Sequence, residues 1–260
     1  MDIQLIPLDQ FQNFLLCLSR VLALLIAIPV FAGSQLANRI KIGLAVATAL
    51  LLFPAMAPHA PQQIQSMLEL GILLLNEVIL GALIGLTAQL IFTGVSFGGT
   101  VIGYQMGFAA ANIFDPQTTQ QLSLMSQFIN IFALLIFITI NGHHFFFQAI
   151  LESYAILPPG YLDFSTGVVP KLMELGNHMF ILGVKFSAPI LALLLLSNLV
   201  LGILARVFPQ LNVFMLSFPM NIGIAFVVIG LTLNAALIIL RREFDTLNYN
   251  IMEFFTLFRG

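Results

Sequence analysis

The sequence predicts an all-α membrane protein of about six long apolar helices arranged in hairpins, and two observations carry that reading. Hydrophobic residues form 60% of the chain and charged residues only 8%. A soluble domain carries about 25% charge, so this chain has too few solvated groups to cover a folded surface in water. Lipid or other apolar protein must cover the rest. The second observation is spacing. Uncharged stretches of about 20 residues, enough to cross roughly 30 Å of hydrocarbon, recur along the chain with the charges falling between them.

Each element follows from that spacing. The first span covers about residues 11–31, with Arg20 inside it and Pro29 near its end, and the basic turn Arg39-Ile40-Lys41 follows. A second runs from Ile42 to about Pro54 and closes on the Pro-rich stretch 54–61. The third covers about residues 66–92, with Glu69 near its start and Glu77 within it. Residues 94–114 stay uncharged but are rich in Gly, Ala and Gln, which reads as a helix followed by an irregular loop. The fourth span covers about residues 122–150. A polar connection with Pro158-Pro159-Gly160, Asp163, Pro170, Lys171 and Glu174 then leads to the fifth, at about 178–204, which holds Lys185 and Pro189. The sixth covers about 211–240 and ends at Arg241-Arg242, leaving residues 243–260 as an amphipathic tail suited to a membrane interface.

Lys and Arg favour the cytoplasmic side of a membrane. Six spans with an outside N-terminus put Arg39, Lys41 and Arg206 there but leave Arg241 and Arg242 on the wrong side. The chain opens with Asp2 and Asp9 and has no basic residue before Arg20, so the first apolar segment is expected to stay uncleaved. The net charge of -2, without a basic patch, argues against a nucleic-acid partner. The single Cys17 can form no internal disulfide and reads as a buried apolar side chain.

Few motifs carry chemistry. Gly94-Val95-Ser96-Phe97-Gly98 matches the G-x-S-x-G elbow of hydrolases, but an elbow needs a strand before it, and residues 86–93 continue an apolar helix. His143-His144 lacks metal-site spacing and reads as a helix-end pair at the membrane interface. Glycine spacing says more. Gly81 and Gly85 lie four apart on one apolar helix, and Gly99, Gly103 and Gly107 repeat that spacing on the next element. Small residues on one face let another backbone approach closely where lipid supplies no hydrophobic drive. The same glycines could instead loosen a moving segment. Glu77 and Lys185 are charges embedded in apolar runs, each costing about 2.5–3.5 kcal/mol at a helix centre. They are expected to face protein, a cavity or each other as an ion pair, or to snorkel from near a helix end.

The most unusual segment is Gly107-Phe108-Ala109-Ala110-Ala111-Asn112-Ile113-Phe114-Asp115-Pro116. Asn112 and Asp115 favour turns and Pro116 disfavours helix at Asp115, so irregular backbone follows an apolar helix. At membrane depth such backbone must be buried in protein or line a cavity. Phe108, Ile113 and Phe114 thus form a candidate constriction that closes a pore by expelling water, with a surface loop as the competing reading.

Several strings keep one family's order over nearly the whole chain: Gly103-Tyr104-Gln105-Met106-Gly107, Asp115-Pro116, Asn141-Gly142-His143, Arg206-Val207-Phe208-Pro209-Gln210-Leu211-Asn212 and Ser217-Phe218-Pro219. With the run from Arg20 to Pro29 and the turn at Arg39, they make the sequence resemble the FliR family of flagellar type III export-gate subunits. The virulence-secretion relatives of the same gate are the close competitor, and Gln105-Met106-Gly107 leans flagellar. The resemblance implies one subunit of a hetero-oligomeric gate with partners called P and Q. The chain would join a P-like part, about 1–204, to a Q-like hairpin, about 179–260. Helical hairpins would assemble into a spiral cone in the flagellar basal body, raised from the inner membrane toward the periplasm, with unfolded flagellar substrates passing through its centre. Such a placement accounts for Arg241 and Arg242. The resemblance further implies that residues 108–115, with Phe108, Ala110, Asn112, Ile113, Phe114 and Asp115, plug the channel just before Pro116. The turn holding Arg206, Pro209, Gln210 and Asn212 would be a cytoplasmic hairpin tip near the partner FlhB. Neither catalysis, a metal nor a cofactor is implied. A small-solute transporter, which would need a matched pair of broken helices, and an intramembrane hydrolase at Ser96 are the other functions in play.

Overall fold

The computed structural model describes residues 7–32, 37–61, 64, 66–107, 124–160, 167–210 and 212–259. They form helices α1 (Leu8–Ala27), α2 (Pro29–Ala32), α3 (Asn38–Met56), α4 (Met67–Gln105), α5 (Leu124–Thr139), α6 (Gly142–Ile156), α7 (Val168–Val207), α8 (Val213–Asp245) and α9 (Leu247–Arg259). A one-turn 3-10 helix, Ala57–His59, follows α3. No strand occurs among the described residues. Among the described residues five helical segments are long and apolar enough to cross a membrane, or six where the broken pair α5 and α6 counts as one span.

Two breaks differ from the sequence reading. The uncharged stretch after residue 92 does not start a new helix, because α4 runs on to Gln105 as one 39-residue rod. The apolar run at 122–150 is not one continuous helix. Asn141 separates α5 from α6 with φ 56°, a left-handed backbone that Asn tolerates better than most residues.

The chain divides into two compact units, the first made of Met1–Leu90, Asn141–Leu175 and Phe244–Gly260. In it α1 buries Leu16, Cys17, Val21, Leu24 and Leu25, a helical stripe turned toward α3. Phe14 and Phe53 meet edge to face at 6.1 Å in that seam. The tail α9 lies against α6 with Leu247, Ile251, Phe254, Phe255 and Phe258 buried. Its apolar face is therefore covered by protein, where the sequence suggested lipid. Glu253 on its other side pairs with the buried Lys171 at 2.7 Å.

The second unit comprises Ile91–Ile140 and Gly176–Glu243. Here α7 and α8 form a hairpin. Most of their surface is uncovered, including Leu195, Leu199, Ile203, Met215 and Leu231. Aromatic rings lock the remaining seams, Phe92 on Phe137 and Phe97 on Phe180, both edge to face.

Candidate functional site

The first unit is organised around a charge. Arg20 of α1 is fully buried, and so is Glu77 of α4. The guanidinium Nε donates to Glu77 Oε2 at 2.5 Å and Nη2 to Oε1 at 3.0 Å, the two-pronged geometry that suits arginine and carboxylate. Its other donors reach the α6 end: Nη1 donates to Ser153 Oγ at 2.8 Å and Nη2 to the Leu157 carbonyl at 3.3 Å. The Tyr154 ring closes the top, its centroid 4.3 Å from the guanidinium carbon. One arginine thus joins three helices.

The cluster extends through weaker bonds. Tyr154 donates its hydroxyl to Cys17 Sγ at 3.5 Å, and the Cys17 thiol donates to the Ala49 carbonyl of α3 at 3.6 Å. Cys17 is buried, as the sequence reading has it. Glu77 takes Arg20 as its partner, which corrects the expected pairing with Lys185. Lys185 is exposed on α7 and has no carboxylate partner among the described residues. Arg20 carried the missing signal. It is as isolated in its apolar run as Glu77, and the rule that an embedded charge needs a partner applies equally to both.

Glycines set how closely backbones approach. A Cβ on Gly81 would strike the Arg20 carbonyl oxygen, and one on Gly85 would strike the Ala27 Cβ, so α1 lies directly on this face of α4. In the second unit a Cβ on Gly99 would come within 2.7 Å of Ser126 Cα, and Gly103 is buried. Gly94, Gly98 and Gly183 form a further seam, outside the glycines named from sequence: a Cβ on Gly98 would lie 2.7 Å from the Gly183 carbonyl oxygen. The spacing Gly94-x-x-x-Gly98 is the sequence signal for it. Ser96 sits mid-helix, its hydroxyl accepting from Asn130 Nδ2 at 2.6 Å, and no strand precedes it. An elbow nucleophile is excluded by that geometry.

The end of α4 prepares the segment singled out above. Gly107 has φ +90°, and a Cβ there would lie 2.5 Å from the Phe218 ring of α8. Glycine is required on both counts. Residues 108–123, with Phe108, Ala110, Asn112, Ile113, Phe114, Asp115 and Pro116, lie outside the described residues. At the hairpin tip, Arg206, Pro209, Gln210 and Asn212 are all exposed. Asn212 shapes the turn, its Oδ1 accepting the Met215 N–H at 3.3 Å as an N-terminal cap of α8. His143 and His144 stand at the start of α6 with ring centroids 4.4 Å apart, and among the described residues no group of side chains forms a metal site.

Apolar helices, a buried ion pair, glycine seams and a capped hairpin turn define a polytopic helical membrane protein. Residues 11–247 match the family described as bacterial export proteins, family 1. The chain is 36% identical over 216 residues to the flagellar biosynthetic protein FliR of Pectobacterium carotovorum subsp. carotovorum, covering 82% of this chain and 81% of the relative. It is 32% identical over 245 residues to FliR of Bacillus subtilis, covering 92% of each, and 31% identical over 220 residues to FliR of Escherichia coli K12, covering 85% of this chain and 82% of the relative. The chain belongs to the FliR family.

Proposed function

We propose that this chain is a structural channel subunit of the bacterial flagellar type III export gate, needed to export unfolded flagellar proteins across the inner membrane. The observation that carries the reading is the family match along residues 11–247, with relatives that are named flagellar biosynthetic proteins. Those names favour the flagellar system over the virulence-secretion gate. The role is non-enzymatic. The chain works with the P and Q subunits and FlhB within the basal body, its cone raised toward the periplasm. Its residues about 1–204 form a P-like part and about 179–260 a Q-like hairpin. Arg206, Pro209 and Gln210, exposed at the hairpin tip, are available to FlhB.

Residues 108–115 form the plug. What supports this is the approach to them: α4 is followed by Gly107, set against the Phe218 ring, and by the turn signals Asn112, Asp115 and Pro116. The uncovered faces of α7 and α8 are where neighbouring subunits seat. In a cell lacking the chain, secretion of hook and filament proteins should stop and return on complementation; normal export without it sinks the reading. Replacing Phe108, Ile113 and Phe114 together by Gly should make the assembled complex conduct ions in a planar bilayer, and unchanged conductance removes the plug assignment.

A further inference from the structure

Within the second unit, neutral hydrogen bonds tie α7 to α8 at one level, and they run outward. Ser197 Oγ donates to Asn221 Oδ1 at 2.9 Å, and Asn221 Nδ2 donates to Asn198 Oδ1 at 2.9 Å. Ser197 and Asn221 are buried, whereas Asn198 is exposed. The ladder starts in the seam of the hairpin and ends on the outer face of α7. Its last member is half used. Asn198 accepts from Asn221 through Oδ1, and its Nδ2 hydrogens have no partner among the described residues.

The surroundings of that amide are apolar. Leu195 stands one turn before it on α7 and Gly202 one turn after, both exposed, and Leu199 and Ile203 are exposed beside them. Asn198 lies about 12 Å along the helix from Arg206 at the hairpin tip, inside the twenty uncharged residues 186–205. Nothing comes within 4 Å of a Cβ added at Gly202, so a second backbone has room to approach closely there.

Three coverings are open to such a face, and the amide decides between them. Acyl chains offer no acceptor, so lipid would leave the Nδ2 hydrogens unpaired. Water would pair them but leave Leu195, Leu199 and Ile203 together as an uncovered apolar patch. A protein helix with an oxygen at the level of Asn198 meets both demands. One amide in an apolar interface also fixes register, because sliding the partner strands a buried donor.

We propose, resting on the export-gate reading, that Asn198 is the register pin between this hairpin and the subunit seated on it. A helix of a neighbouring gate subunit lies across Leu195, Asn198 and Gly202 and accepts a hydrogen bond from Asn198 Nδ2 on a side-chain amide or hydroxyl oxygen. The ladder that joins α7 to α8 thereby continues across the subunit boundary.

The test uses the full chain co-expressed and purified with its gate partners, with partner retention followed by native mass measurement through a detergent titration. Asn198→Leu should weaken retention about threefold or more. Asn198→Asp keeps an oxygen for Asn221 but turns an acceptor outward, so it should weaken retention at least as much. A photo-reactive side chain at Leu195 should label another subunit. Native-like retention by both Asn198 variants overturns the pin alone, and so does labelling of lipid only or of a second copy of this chain. A native chain that retains no partner sinks the export-gate reading, and the pin with it.

Discussion

The two units hold apolar helices together by different chemistry. In the first, three helices meet on one buried guanidinium with its carboxylate, hydroxyl and carbonyl partners. In the second, contact rests on bare backbone at Gly94, Gly98 and Gly183 and on amides such as Asn221, which accepts from Ser197 and donates to Asn198. Both units use glycines for close approach, Gly81 and Gly85 in the first, but the buried charge is added in the first and neutral side-chain bonds in the second. A membrane helix can be fixed either way, and the two should fail differently.

The largest effect should come from breaking the pair. Glu77→Ala leaves Arg20 buried without its counter-charge, a loss of about 3–5 kcal/mol, read by SDS titration of the purified protein. Replacing both, Arg20→Leu with Glu77→Leu, should recover most of it; a double variant as weak as the single would show that shape and not charge is what matters. Gly98→Ala should cost about 1–3 kcal/mol in the same assay, since the added Cβ meets main chain that cannot swing aside. Asn221→Leu should cost about 0.6–1.7 kcal/mol, the usual range for a bond between membrane helices. Gly230→Ala serves as control. Nothing lies within 4 Å of its added methyl, so stability should rise by about 0.4–1 kcal/mol, and a loss there would falsify the close-approach account of the other glycines.

The helical class and the spans were readable because hydrocarbon demands length and neutrality, both properties of sequence alone. Breaks were harder. Asn141-Gly142 is a turn signal by composition, yet it sits in a run apolar enough to hide it, and the left-handed backbone of Asn141 shows only in the folded chain. The tail read as amphipathic, which it is, but amphipathicity cannot say whether lipid or α6 covers its apolar face. Glu77 stood out as an embedded charge while its partner did not, because pairing depends on helix order in space. Glycine spacing found the Gly81 and Gly85 contact surface and passed over Gly183, which has no partner four residues away on its own helix.

The distance along the chain between Arg20 and Glu77 has a consequence for biosynthesis. Fifty-seven positions separate them, and Ser153 comes 133 positions after Arg20. At about 5–20 residues per second, the nascent first helix waits about 3–11 s for its counter-ion to be made. During that interval its guanidinium lacks the Glu77 carboxylate, so the helix is expected to keep that group near the lipid headgroups or in contact with the insertion machinery. The cluster on Arg20 is thus complete only when α4 and α6 have both been synthesised.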